Sequence, residues 1–102
     1  MIKVNFKKSN GKTYEVVIKG HANYAEMGQD IVCSAVSTMA ITTVNAILSL
    51  EETIDASEKS GLLVIRTLKD TDVNQKLLSN LERMLNELSE QYPKNIEIRN
   101  ED

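Results

Sequence analysis

The chain has 102 residues, which is the size of one ordinary domain, with 41% hydrophobic and 26% charged residues. That balance excludes a disordered chain, and a net charge of −3 excludes the basic face of a dedicated nucleic-acid binder. One Phe, three Tyr and no Trp leave a core that must be mostly aliphatic.

In chain order, Ile2, Val4 and Phe6 alternate with Lys3 and Asn5, the pattern of a half-buried strand. No charged leader followed by a long apolar run precedes them, so a secretory signal is not expected. Asn10-Gly11 supplies turn chemistry, because both residues tolerate positive φ. A second strand over Thr13–Lys19, with Tyr14, Val16 and Ile18 on one side, completes a hairpin. Residues 20–29 show neither helical nor strand period, lie between Gly20 and Gly28, and read as a functional loop with glycine hinges.

A helix is expected from Asp30 to about Leu50, apolar around most of its circumference and therefore covered on more than one side, either by the domain or by a second subunit. Cys33, Ser34, Ser37, Thr38 and further polar residues interrupt it, which reads as too polar for a membrane span. Glu51–Ser60 reads as a polar loop ending at Gly61, and residues 62–68 as an interior strand. Asp72 with Gln75 resembles a capping box, opening a second helix whose face runs through Val73, Leu77, Leu81, Met84, Leu85 and Leu88. Pro93 closes it, and Ile96 and Ile98 mark a last short strand. The order ββαβαβ predicts one α/β (α+β) domain over residues 1–102, a two-layer sandwich of two helices on a mixed four-stranded sheet.

The candidate chemistry lies around the single Cys and the single His. With Asp30 as N-cap, Cys33 is the third helical residue, among backbone amides that lack intrahelical partners. Such amides favour a thiolate and can receive the oxygen of a tetrahedral intermediate. His21, twelve residues earlier, can be brought to the thiol by the loop and serve as base and then acid. The competing readings are plainer: a lone Cys is more often a small buried hydrophobe, a lone His a solvated residue, Asp30 only a cap and Ser37 only a back-bonding hydroxyl. One Cys and one His fall short of a zinc set, and there is no glycine-rich phosphate loop, so no metal and no cofactor is expected. A single Cys forms no internal disulfide, which fits a cytoplasmic protein.

Gly20-His21-Ala22, Tyr24-Ala25, Gly28-Gln29-Asp30-Ile31-Val32-Cys33 and Ala35-Val36-Ser37 resemble the signature of the ribosomal-processing cysteine protease family (Prp), and the similarity of element order extends over essentially the whole chain. The resemblance implies a cysteine endopeptidase with a Cys33/His21 dyad, supported by Asp30 and Ser37. It also implies a homodimer whose substrate is the N-terminal extension of a large-subunit ribosomal protein, cut next to an aromatic, apolar segment, with no direct nucleic-acid or membrane partner. Asn23 stands where the family usually has Gly, and Asn is the non-glycine residue that best tolerates positive φ. The alternative from another class is a non-catalytic, ribosome-associated module that holds a peptide in the same groove. A redox-sensing thiol would lack a resolving partner within the chain.

Overall fold

The computed structural model describes residues 1–20 and 29–102, the side chains of residues 29 and 30 excepted. The elements are β1 (Ile2–Ser9), β2 (Lys12–Lys19), α1 (Gln29–Leu50), β3 (Ile54–Lys59), β4 (Leu62–Thr67), α2 (Asp72–Gln91) and β5 (Ile96–Glu101). The sheet has five strands in the order β3-β4-β2-β1-β5, not the four expected. The additional strand, β3, lies inside the segment read as a polar loop. It escapes a pattern search because only Ile54 and Ala56 face the core before Glu58 ends the apolar series.

β1 and β5 are parallel, and the β1–β2, β2–β4 and β3–β4 pairs are antiparallel. The β2–α1–β3 and β4–α2–β5 crossovers each join strands that run in the same direction without being neighbours. The sheet is therefore mixed, and both helices lie on one face.

The β1–β2 turn has Asn10 at φ 53° and Gly11 at φ 75°, the two positive values of the tight turn whose twist matches its strands. A bulge interrupts this pair: Lys7 sits opposite Glu15 but Lys8 opposite Thr13, so Tyr14 is the extra residue. The slip turns Thr13 inward and leaves Tyr14 exposed, which corrects the reading that put Tyr14 on one side with Val16 and Ile18.

The core lies between sheet and helices. Ile2, Val4, Phe6, Val16, Ile18, Leu63 and Ile65 form the sheet side. Val32, Val36, Ala40, Val44 and Ile47 of α1, and Leu78, Leu81, Leu85 and Leu88 of α2, close over it. In α2 the buried face begins at Asn74 and Leu78; Val73 and Leu77 are only half-buried, and Met84 is exposed.

The N-cap of α2 is Thr71 and not Asp72. Its hydroxyl accepts from the Asn74 amide N–H at 3.1 Å, and Asn74 Oδ1 accepts from the Thr71 N–H at 3.1 Å, a reciprocal pair with Asn in place of the usual Glu or Gln. Gln75, expected in the cap, instead bonds both backbone groups of Thr13 at 2.8 and 2.9 Å, outside the β2–β4 register, which ends at Glu15. The last turn of α2 is closed by the Tyr92 N–H donating to Leu88 O at 3.0 Å, with Pro93 following.

By length and composition α1 is apolar enough to cross a membrane, with a mean hydropathy of 1.8 over Ile31–Leu50, so the expectation that it is too polar does not hold. In this fold one of its stripes, Val32 to Ile47, is taken up by the sheet and α2. Outside that stripe Ile31, Ile41, Leu48 and Leu50 are exposed, interspersed with exposed Ser34, Thr38, Thr42, Asn45 and Ser49.

Candidate active site

The N-terminal part of α1 carries the candidate nucleophile. α1 is described from Gln29, which puts Asp30 and Cys33 in its N-terminal part, towards the positive end of the helix dipole.

The Cys33 side chain is half-buried. It packs against the core on one side and lines a cleft of about 340 Å³ on the other. The cleft runs between α1 and the strands beneath it. α1 supplies Cys33, Val36, Ser37, Ala40 and Ile41; Ile18 and Leu63 come from the sheet. The β3–β4 hairpin supplies Glu58, Gly61 and Leu62. Apart from the thiol, the Ser37 hydroxyl and the Glu58 carboxylate, the lining side chains are aliphatic, which suits an extended peptide with apolar side chains. Ser37, one turn beyond Cys33 on α1, is exposed into the same cleft, so these two predicted residues are brought together.

Gly20 lines the same cleft. Its φ is +110°, and its N–H donates to Gly61 O at 2.9 Å, tying the end of β2 to the β3–β4 turn. A Cβ there would lie 2.7 Å from the carbonyl oxygen of Met1 and 3.2 Å from Ile2 Cα. Both the backbone conformation and the close approach demand glycine at this position. Gly20 is thus pinned on both sides.

His21, Asn23 and Gly28 lie outside the described residues, as does the side chain of Asp30. Among the described residues no group of three or more His, Cys, Asp or Glu is placed to hold a metal ion. The lining residue that sequence reasoning missed is Glu58. The period-2 series Ile54, Ala56, Glu58 places it on the inner face once β3 is recognised as a strand.

Away from the cleft, the charged groups serve the fold. Glu15 bonds Arg66 Nε at 2.8 Å and Lys7 Nζ at 3.2 Å across β1, β2 and β4, and the Arg66 bond above all holds its carboxyl below the usual carboxylate range. Glu51, just after α1, accepts hydrogen bonds from the Thr53 and Thr71 hydroxyls, which lower its pKa in the same way, Thr53 most.

Comparison with known proteins gives a consistent result. The family model described as Cysteine protease Prp matches residues 1–97. A ribosomal processing cysteine protease Prp from Staphylococcus aureus is 33% identical over 92 residues, covering 86% of this chain and 87% of that protein. The S. aureus Prp crystal structure with a covalently linked product peptide superposes with a TM-score of 0.89 at 32% identity, covering 99% of this chain and 100% of that one. A second S. aureus Prp structure, in complex with a substrate peptide, gives a TM-score of 0.88 at 29% identity, with 99% and 100% coverage.

Proposed function

We propose that this chain, which belongs to the Cysteine protease Prp family, removes the N-terminal extension of a large-subunit ribosomal protein in the cytoplasm, using Cys33 as nucleophile and His21 as its acid–base partner. The observation that carries this reading is the cleft itself. Cys33 lines it, and so does Gly20, the residue bonded directly to His21.

In the proposed reaction an extended segment of the ribosomal protein lies along the aliphatic lining. His21 takes the Cys33 thiol proton as Sγ attacks the scissile carbonyl carbon, and the oxyanion is met by the free amides at the start of α1. The imidazolium then protonates the leaving amine, and the C–N bond breaks to leave a thioester on Cys33. Water, deprotonated by His21, hydrolyses the thioester and restores the thiol. Asp30 and Ser37 act as supporting groups, with Ser37 reaching the same cleft from the next turn of α1.

The working form is a homodimer. The exposed apolar side chains of α1, Ile31 and Leu48 among them, support this, because a second copy would cover them.

The test is to incubate the protein with a peptide carrying the N-terminal extension and to analyse the products by mass spectrometry beside Cys33→Ala and His21→Ala. One cut made by the parent chain and lost in both variants is the expected result. Cleavage retained by Cys33→Ala would sink the assignment. Peptide binding without any cleavage would leave the non-catalytic module in its place.

A further inference from the structure

The inner face of a two-layer sheet is apolar by necessity, and here the row beneath the cleft breaks that rule once. Leu63 stands opposite Ile18 in β2 and opposite Glu58 in β3, so the three side chains form one row on one face of the sheet, buried at Ile18 and Leu63 and exposed at Glu58. Ile18 and Leu63 are buried core residues; the row then ends, on the edge strand, in a carboxylate. All three line the cleft that holds Cys33. Among the described residues Glu58 has no ion-pair or hydrogen-bond partner, and it is the only acidic side chain in the lining.

We infer, resting on the protease reading above, that Glu58 is a specificity-determining residue that receives a Lys or Arg side chain of the substrate. The surroundings suit such a side chain at both ends. Its methylene stem lies along Leu63 and Ile41, and its cationic head meets the carboxylate at the open end of the row. An acidic substrate side chain at that position is rejected by like-charge repulsion beside apolar walls, which sharpens the choice. An inward-pointing charge on an edge strand also discourages edge-to-edge pairing between molecules. That role alone would leave peptide selection independent of charge, so the two are separable.

The experiment uses the extension peptide of the ribosomal protein with each position flanking the scissile bond set in turn to Lys, Gln or Glu. The readout is the ratio of kcat/KM values within each set. At one position the parent chain prefers Lys over Glu by about fivefold or more, the size expected of one partly screened ion pair, with the difference mainly in KM. Glu58→Gln brings that ratio close to one, and Glu58→Lys inverts it. The inversion matters because the gain on a Glu-containing peptide is a result that misfolding does not produce. A ratio unchanged in Glu58→Gln, or no position that responds to charge, overturns the proposal while leaving the protease reading standing. A parent chain that cuts none of the peptides removes both.

Discussion

Two residues show how much of the site depends on local stereochemistry. At Gly20 a positive φ, a backbone hydrogen bond to Gly61 and the Met1 carbonyl close by leave no room for a side chain. Gly20→Ala is expected to cost about 1–3 kcal/mol through backbone strain, before any displacement of β1 is counted. Its thermal midpoint should fall and its cleavage rate should fall with it, because the same residue carries His21. A variant with unchanged stability and rate would show that the close approach is unimportant. Asn74 is the second case. It is fully buried, and its amide nitrogen donates to Lys69 O at 2.8 Å and Thr53 Oγ1 at 3.0 Å, while its oxygen completes the cap of α2. Asn74→Ala leaves several of these groups unpaired and should destabilise the domain by about 2–3 kcal/mol in urea unfolding, more than an ordinary exposed cap. The sequence makes the cap readable in kind but displaces it by one residue, since Asn at the third position does the work usually assigned to Glu or Gln.

At the scale of elements, legibility follows the hydrophobic pattern. β1, β2, β4, α2 and β5 are all announced by apolar periodicity and turn chemistry, and they form where expected. β3 is not, because an edge strand with one face to solvent and a carboxylate on the other carries no alternating signal. The bulge at Tyr14 is equally silent, since alternation predicts a side and a bulge reverses it. The cleft shares this limit. Cys33, Ser37 and Gly20 stand out in the sequence, whereas Glu58 acquires meaning only when β3 pairs with β4. The neighbouring β1–β2–β4 pairing brings together charges that govern acid stability. Glu15 and Glu51 both have carboxyls held below their ordinary value of 4.5, so they add stability that is fully present above that value and is lost as pH falls through the lowered folded values. Unfolding midpoints should therefore decline below about pH 4.5. Glu15→Gln, which removes the ion pairs with Arg66 and Lys7 and the titrating carboxyl at every pH, should flatten part of that decline; an identical slope would place the acid sensitivity elsewhere.

At the scale of the whole molecule the decisive element is α1, which serves the core, the cleft and a surface at once. Its sequence is apolar nearly all round, and the domain uses one stripe, Val32 to Ile47, to cover the sheet. Cys33 and Ser37 lie beside that stripe and face the cleft, while Ile31, Leu48 and Leu50 remain open. Large apolar side chains left in water among Ser34, Thr38, Thr42, Asn45 and Ser49 are unfavourable for an isolated domain, and pairing with another copy would bury them. Leu48 is 44% exposed and does not line the cleft, so Leu48→Glu tests the surface with little effect on the core. Sedimentation equilibrium should show a dimer for the parent chain and a shift toward monomer for the variant, since a buried unpaired carboxylate opposes association. If activity falls only at protein concentrations where the variant dissociates, the partner copy steadies the N-terminal half of α1 and hence the placement of Cys33. If the parent chain is a monomer at all concentrations, the open side of α1 is not a self-association surface, and the cleft must function within a single copy.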